Sequence, residues 1–223
     1  MSIGANLDEV RHHIADACQR AGRAPSHVRL IAVSKSFPVE AITEAASHGQ
    51  RHFGENRVQE GLAKLEQLPA LDADIDIHLI GHLQRNKARH AGSFASVQSV
   101  DSIRLAQAIS RRLDRDLPIL LEVNVAQEAS KHGFRPDEVP QALEQIQALE
   151  RLDVKGLMTV APEVADAEAV RPVFADLKRL TEKLSLTELS MGMTNDYAVA
   201  IEEGSTMVRI GRAIFGKRPE AQA

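Results

Sequence analysis

The sequence predicts an α/β protein, a single (β/α)8 barrel of the TIM type with an extra N-terminal helix. Eight short apolar runs occur along the chain, and each is followed by a polar segment with helical spacing. Eight parallel strands are the number that closes such a barrel, and 223 residues are enough for one. We therefore expect one domain over residues 1–223, with a loose tail at 217–223. The eight runs are LIAVSK, RHFGEN, DIHLIGHL, SVQSVD, PILLEVNV, VKGLMTV, ELSMGMT and TMVRIG.

The first element is an amphipathic helix that precedes the barrel. Its apolar residues recur every three or four positions, and Gly22 and Pro25 mark its end. The charge patterns around 137–150 and 166–183 are typical of the outer faces of barrel helices. The alternative architecture is an open, doubly wound sheet, but the junction after the first run reads SKSFPVE and lacks the G-x-G-x-x-G fingerprint. The apolar residues of the first helix are Ile3, Leu7, Val10, Ile14 and Ala17.

Composition excludes several classes of function. A formal net charge of −4 and a pI near 6.1 give no basic excess for nucleic acid. We see neither a signal-like N-terminus nor an apolar run long enough to cross a bilayer. The single cysteine, Cys18, cannot form an internal disulfide, which is typical of a reducing compartment. We expect a cytoplasmic protein that binds neither nucleic acid nor membranes.

Lys35 closes the first run and is the strongest candidate for a reactive group. Strand alternation places it on the same face as Ile31 and Val33, where apolar side chains point. Desolvation disfavours the ammonium form of a lysine, and the neutral amine can form a Schiff base. The alternative is a lysine that has left its strand and extends to water.

The seventh and eighth runs end in residues that suit a phosphate group. Barrel enzymes commonly hold phosphate with the loops after these two strands. Ser190 and Gly192 supply a hydroxyl and a closely approachable backbone before helix-capping residues, and Arg209 and Gly211 add a guanidinium and a second glycine. Taken singly, the glycines are equally typical of turns and the arginine of a solvated surface.

Several segments occur in the order and approximate spacing of one known family, and the match spans nearly the whole chain. The sequence resembles the pyridoxal phosphate homeostasis proteins, whose fold is similar to the barrel domain of alanine racemase, known as fold type III. The segments are LIAVSKSFP, FGENRVQE, HLIGHLQRNK, SVDS, LEVNVAQEASKHGF, GLMTVAP and LSMGMTNDYAVAIEEGSTMVRIGRAIFG.

The resemblance implies a set of cofactor contacts. Pyridoxal 5'-phosphate would be held as a Schiff base on Lys35, with Asn56 near the cofactor. Arg209 would face its pyridine nitrogen. The phosphate contacts would be Ser190, Gly192 and Gly211. No catalytic residue and no metal ligand is assigned.

The resemblance also implies a protein that holds the cofactor and contributes to intracellular vitamin B6 and amino-acid homeostasis without robust catalysis. Apo-enzymes that receive the cofactor would be its partners, and we expect a monomer, with a weak dimer as the alternative. A guanidinium at the ring nitrogen opposes its protonation and weakens the cofactor as an electron sink. In alanine racemase a tyrosine from an additional β domain of a partner subunit acts as second acid/base; we expect this chain to lack that domain and its only tyrosine, Tyr197, to pack in a helix.

Two other functions stay open at this point. One is a pyridoxal phosphate-dependent amino-acid racemase, and the other is a cofactor-free aldolase with a lysine Schiff base. Glu55 and Glu122 both end strand-like runs and form a candidate carboxylate pair, although structural hydrogen bonding is an equal alternative. On one strand His78 and His82 would lie about 13 Å apart at ~3.3 Å per residue, too far to share an ion, so we expect no zinc site there.

Overall fold

The computed structural model describes residues 2–68 and 74–217 and contains a closed barrel of eight parallel strands. Each strand pairs with the next along the chain, and the eighth pairs with the first through Arg29 to Ala32 on one side and Met207 to Ile210 on the other. The predicted fold class is confirmed. The strands are β1 (Arg29–Val33), β2 (His52–Glu55), β3 (Asp76–Leu79), β4 (Ser96–Val100), β5 (Leu117–Glu122), β6 (Leu152–Met158), β7 (Glu188–Ser190) and β8 (Met207–Ile210).

The two faces of the strands bury different sets of residues. Alternate residues point into the barrel and toward the helices, as strand geometry requires. A small apolar cluster of Ile31, Leu120, Met158 and Met207 lies apart from the large core that the other buried apolar residues form with the helices.

Helices surround the barrel and alternate with the strands. The α-helices are α1 (Ile3–Arg20), α2 (Val39–Ser47), α3 (Val58–Gln67), α4 (Ile103–Ser110), α5 (Val139–Gln147), α6 (Arg171–Lys183), α7 (Tyr197–Glu202) and α8 (Arg212–Phe215). The prediction of a helical segment after each strand needs one correction, because the connection after β3 is a 3-10 helix over Arg85–Ser93. Apart from Lys217, the tail predicted at 217–223 lies outside the described residues.

The helix α1 confirms the predicted N-terminal element. The Ser2 hydroxyl caps it by accepting from the Ala5 amide at 3.3 Å, and Leu7, Val10 and Ile14 are buried. The helix packs against α7, α8 and α2, and the Asn6 amide donates to the Ile214 carbonyl at 2.8 Å. It therefore joins the first and last parts of the described chain. Within the described ranges no helix combines the length and apolar character that crossing a membrane demands.

Candidate functional site

A cavity of about 880 Å³ lies at the carboxyl ends of the strands. Four of the sequence-predicted residues, Lys35, Asn56, Arg209 and Gly211, line it together. The segment after β7 also borders it, from Met193 to Asp196. The barrel thus brings together residues far apart in sequence at the end where barrel enzymes place their active sites.

Lys35 lies in the turn that follows β1. The strand ends at Val33, and Lys35 is half-buried, with Val33 beside it in the cavity wall. The next residue, Ser36, has a φ of +67°, in the left-handed region that non-glycine residues seldom adopt. Such a conformation persists only where surrounding contacts hold it.

Helix α3 supplies those contacts. The Lys64 ammonium donates to the Ser34 carbonyl at 2.9 Å, and the Ser36 amide donates to the Glu60 carboxylate. The backbone is therefore fixed immediately before and immediately after Lys35. Lys64 also donates to both Glu55 and Glu60, at 2.6 and 2.9 Å, although it is only 5% exposed.

The carboxylates of this cluster differ in protonation behaviour. Burial raises the pKa of Glu55, against the lowering by hydrogen bonds from Lys64 and Ser34. Burial also acts to raise the pKa of Glu60, but hydrogen bonds from Lys64 and Ser36 outweigh it, so that pKa is lowered. Sequence analysis missed Lys64, since a lysine four residues after a glutamate in a helix is typical of an exposed ion pair.

Asn56 presents a polar atom that calls for a ligand. It follows β2 directly, and its Oδ1 is buried without a hydrogen-bond partner among the described residues. Buried polar atoms in native proteins are almost always satisfied, so an orphan acceptor in a cavity wall marks a place for a donor. Gly81 permits this placement, because any Cβ at that position would clash with the Asn56 backbone.

Arg209 is the buried cation of the cavity. Its guanidinium donates to the Ser190 hydroxyl and to the Thr159 carbonyl, each at 2.7 Å, and only 4% of the residue is exposed. Burial lowers its pKa to about 10, although Asp196 and Glu122 act in the opposite direction. It therefore stays a cation at neutral pH.

Ser190 and Gly192 lie behind Arg209 and outside the cavity lining. The Ser190 hydroxyl accepts from Arg209 and donates to Gln98 at 2.7 Å, and the residue is fully buried. Gly192 has a φ of +93°, and a Cβ there would lie 2.6 Å from the Cβ of Ala200. In this structure the two residues pack and orient the arginine, and their assignment to phosphate stays a prediction.

Gly211 allows two strands to approach at the cavity edge. A Cβ at this position would lie 3.1 Å from the Val33 carbonyl oxygen, at the end of β1. Its φ of −116° is open to any residue, so the close approach explains the glycine. The end of β1, two residues before Lys35, and the turn after β8 therefore lie in close contact.

Comparison with known proteins assigns the family. The model of the alanine racemase N-terminal domain matches residues 5–219. A relative from Pseudomonas aeruginosa, named pyridoxal phosphate homeostasis protein, is 42% identical over 223 residues, which make up 97% of this chain and 96% of the relative. The chain belongs to the pyridoxal phosphate homeostasis protein family.

Solved structures agree with this membership of the pyridoxal phosphate homeostasis protein family. PipY from Synechococcus elongatus, solved with pyridoxal phosphate bound, has a TM-score of 0.84 at 38% identity, covering 96% of this chain and all 100% of PipY. An alanine racemase from Clostridium difficile has a TM-score of 0.73 at 16% identity, covering 99% of this chain but 58% of the racemase. The second likeness concerns the fold alone.

Two other groups considered for acid/base chemistry, the Glu55 and Glu122 carboxylates and Tyr197, are not part of the cavity lining in this family member. Glu55 bonds to Ser34 and Lys64, and burial and the nearby Asp101 raise the pKa of Glu122. Neither carboxylate is among the residues that line the cavity. Tyr197 lies on α7, and its hydroxyl is 3.3 Å from His13 of α1. The tyrosine is not among the residues that line the cavity.

The histidines considered for zinc belong to different clusters in this family member. His82 neighbours Asp101 at 3.0 Å and stacks on His132 at a ring distance of 4.1 Å. His78 instead groups with residues at the opposite end of the barrel. The sequence estimate treated one strand alone and therefore missed the partners that neighbouring strands supply.

Proposed function

We propose that this protein binds pyridoxal 5'-phosphate in the cavity at the carboxyl ends of the strands, attached covalently to Lys35. Its role is to hold and release the cofactor and so to contribute to vitamin B6 homeostasis. The single observation that carries the proposal is the meeting of an amine, an orphan amide oxygen and a buried guanidinium in one cavity, in Lys35, Asn56 and Arg209. The names of the relatives and the cofactor bound to PipY support it.

The residues present fit this cofactor. It supplies an aldehyde that condenses with a primary amine, a ring with a hydroxyl and a basic nitrogen, and a phosphate. Lys35 offers the amine, and the orphan Oδ1 of Asn56 is an acceptor for a hydroxyl donor. Arg212 and Lys217 add positive charge to the cavity wall, which suits a phosphate, whereas Lys131 pairs with Glu128 at 2.6 Å.

The role of each side chain follows from its contacts. Lys64 and Glu60 hold the backbone on either side of Lys35 and so orient the amine. Arg209 keeps a fixed positive charge in the cavity, because Ser190 and Thr159 hold its guanidinium. A fixed cation near a basic ring nitrogen opposes its protonation, which limits catalysis that needs a strong electron sink.

Tyr197 favours a carrier over a racemase. It is the only tyrosine of the chain, and its hydroxyl lies against His13, outside the cavity lining. Burial raises the pKa of Tyr197, and Glu9 adds to that shift, so the phenol is a poorer acid/base near neutral pH. The racemase function thus has no tyrosine of this chain at the cavity.

The covalent attachment is tested by trapping. The protein is incubated with pyridoxal 5'-phosphate, reduced with borohydride and mapped by peptide mass. We expect one modified peptide containing Lys35 and an absorbance band that Lys35→Ala abolishes. Lys131→Ala is the matched control, because Lys131 lines the same cavity, and it should keep the band. Modification of Lys131 with Lys35 unmodified would refute the attachment.

Assays of enzymatic turnover distinguish the carrier function from the racemase and aldolase functions. Sustained amino-acid racemisation at enzyme-like rates that disappears in Lys35→Ala would reject the carrier role in favour of the racemase. Cleavage of a sugar phosphate without added cofactor would favour the aldolase. For the carrier, transfer to an apo-enzyme should be faster than the release of cofactor into buffer.

We further propose that apo-enzymes in the cytoplasm receive the cofactor from a monomer of this protein. A cavity open at one end of a barrel gives a recipient access to the bound group. Equal rates of transfer and bulk release would contradict direct delivery, and sedimentation at micromolar concentration would test the monomer against a weak dimer.

A further inference from the structure

A second cavity, of about 600 Å³, lies at the amino ends of the strands, opposite the proposed cofactor site. Three potential metal ligands project into it from two neighbouring strands. His52 of β2 and Asp76 of β3 are register partners, and His78 follows two residues later on the same face as Asp76. One ligand atom from each lies within 4.8 Å of the other two.

The spacing of these atoms matches a tetrahedral zinc site. His52 Nδ1 lies 3.2 Å from Asp76 Oδ2 and 3.2 Å from His78 Nε2. Zinc bonds to nitrogen and oxygen measure about 2.0–2.1 Å, which places neighbouring ligand atoms of a tetrahedron about 3.3 Å apart. Two of the three ligand separations therefore already match, and the third, between Asp76 and His78, is at most 4.8 Å.

Hydrogen bonding alone serves this arrangement poorly. His52 Nδ1 faces a carboxylate oxygen and a second ring nitrogen, each at 3.2 Å. A ring nitrogen carries either one N–H or one lone pair, so in either tautomer it makes a good hydrogen bond to only one of them. A cation placed among the three atoms accepts a lone pair from each. On the far side of the His78 ring, Nδ1 lies 2.7 Å from the Ser96 hydroxyl, the type of outer contact that orients histidine ligands.

The other charges of the cavity leave room for a cation. Arg29 pairs with Glu188 at 3.9 Å, and the Arg115 guanidinium donates to the Gly92 and Phe94 carbonyls. Lys155 pairs with Asp153 at 2.6 Å. The lining holds three carboxylates, Asp76, Asp116 and Glu188, against these three cations, and the cavity offers space for a water molecule as a fourth ligand.

We infer that His52, Asp76 and His78 form a binding site for a divalent transition metal, with zinc the best match. Two imidazoles, one carboxylate and an open position suit zinc better than calcium or magnesium, which prefer oxygen ligands. The site lies at the end of the barrel remote from Lys35, and it does not depend on the proposed cofactor function.

The test uses the full chain without an affinity tag, stripped with a chelator and then titrated with zinc chloride against a chromophoric chelator. We expect about one zinc ion per chain. Asp76→Asn should weaken binding at least about tenfold, and Ser96→Ala, which removes the outer contact, by about tenfold. Cobalt should give the intense visible absorption of a four-coordinate site, lost in Asp76→Asn.

A matched control lies in the other histidine cluster. His82→Asn disrupts the second cluster, in which ligand atoms of His82, Asp101 and His132 also lie within 4.8 Å of one another, and should leave the zinc affinity unchanged. Asp76 is an exposed side chain, so Asp76→Asn is expected to fold, and circular dichroism checks this. Absence of zinc binding in the parent, equal binding by Asp76→Asn, or loss of binding in His82→Asn would each overturn the inference.

Discussion

At the scale of the residue, the position of Lys35 was predictable and its support was not. A lysine at the end of an apolar run stands out in a sequence, although here the strand ends at Val33 and Lys35 lies half-buried in the turn that follows. Lys64 does not stand out, since its helix reads as amphipathic with an ordinary Glu60 to Lys64 pair. Only the packing of α3 against β2 shows that the second lysine is buried and bonded to Ser34, beside the first.

Removing Lys64 should destabilise the protein strongly. Lys64→Met leaves the fully buried Glu55 carboxylate without its cation, and breaking a buried ion pair typically costs about 3–5 kcal/mol. Urea unfolding followed by circular dichroism measures this, because the chain has no tryptophan. The exposed Lys178→Met serves as control, with an expected change within about 0.5 kcal/mol.

The double variant Lys64→Met with Glu55→Leu completes that experiment. Replacing both members of a buried pair with apolar groups of similar size is often nearly neutral, so most of the lost stability should return. Because the Ser34 contact stays absent, binding of pyridoxal phosphate should remain weaker than in the parent. Full recovery of both properties would contradict the role of Lys64 in positioning Lys35.

Glu122 should make the stability depend on pH. Its pKa is raised from an ordinary value of 4.5 by burial and by Asp101, so between that value and the raised one the folded state binds more protons than the unfolded state. The free energy of unfolding contributed by this residue therefore falls as pH rises through that window. Glu122→Gln removes the effect, and its stability relative to the parent should increase from pH 4 to pH 7. A constant or shrinking difference in urea unfolding would contradict this.

At the scale of the element, the sequence predicted the strands better than the connections. Each apolar run contains a strand because a buried parallel strand needs apolar residues on both faces. The segment Arg85–Ser93 carries polar residues on most of its surface, and it forms a 3-10 helix that packs against α4. The sequence pattern also could not predict that Ser190 would bond to Arg209, because contacts within the barrel depend on the register between strands.

Among the glycines, Gly156 should be the one at which an added Cβ disrupts strand pairing most. A Cβ at this position in β6 would overlap the Glu188 carbonyl of β7, and strand backbones cannot shift cheaply within a closed barrel. Gly156→Ala is expected to cost about 3 kcal/mol or more, at the upper end for overpacking. Thermal melting compares this variant with Gly92→Ala, whose Cβ would lie 3.3 Å from a Leu113 methyl group. Gly92→Ala should lose much less stability. Similar melting temperatures for the two variants would refute the clash.

At the scale of the whole molecule, closure of the barrel creates both cavities. The strands run parallel, so all their carboxyl ends meet in one cavity and all their amino ends in the other. The first cavity was predictable, because fold class alone places chemistry at that end. The cluster of His52, Asp76 and His78 was not, since it depends on the register of β2 against β3.

The helix α1 should determine whether the described barrel stays closed. It packs on α7 and α8, the last helices of the described chain, and also on α2. It therefore stabilises the pairing of β8 with β1 from outside the barrel. Leu7 is fully buried in this contact, and Leu7→Ala should cost about 2–5 kcal/mol by leaving a cavity. Because Gly211 and Val33 lie at the same seam, the variant should also bind pyridoxal phosphate less tightly under conditions where it remains folded. The control is Asp8→Ala, next to Leu7 but with a side chain 75% exposed, which should change neither property. A destabilised Leu7→Ala protein with unchanged affinity would mean that α1 stabilises the fold without tightening the cofactor cavity.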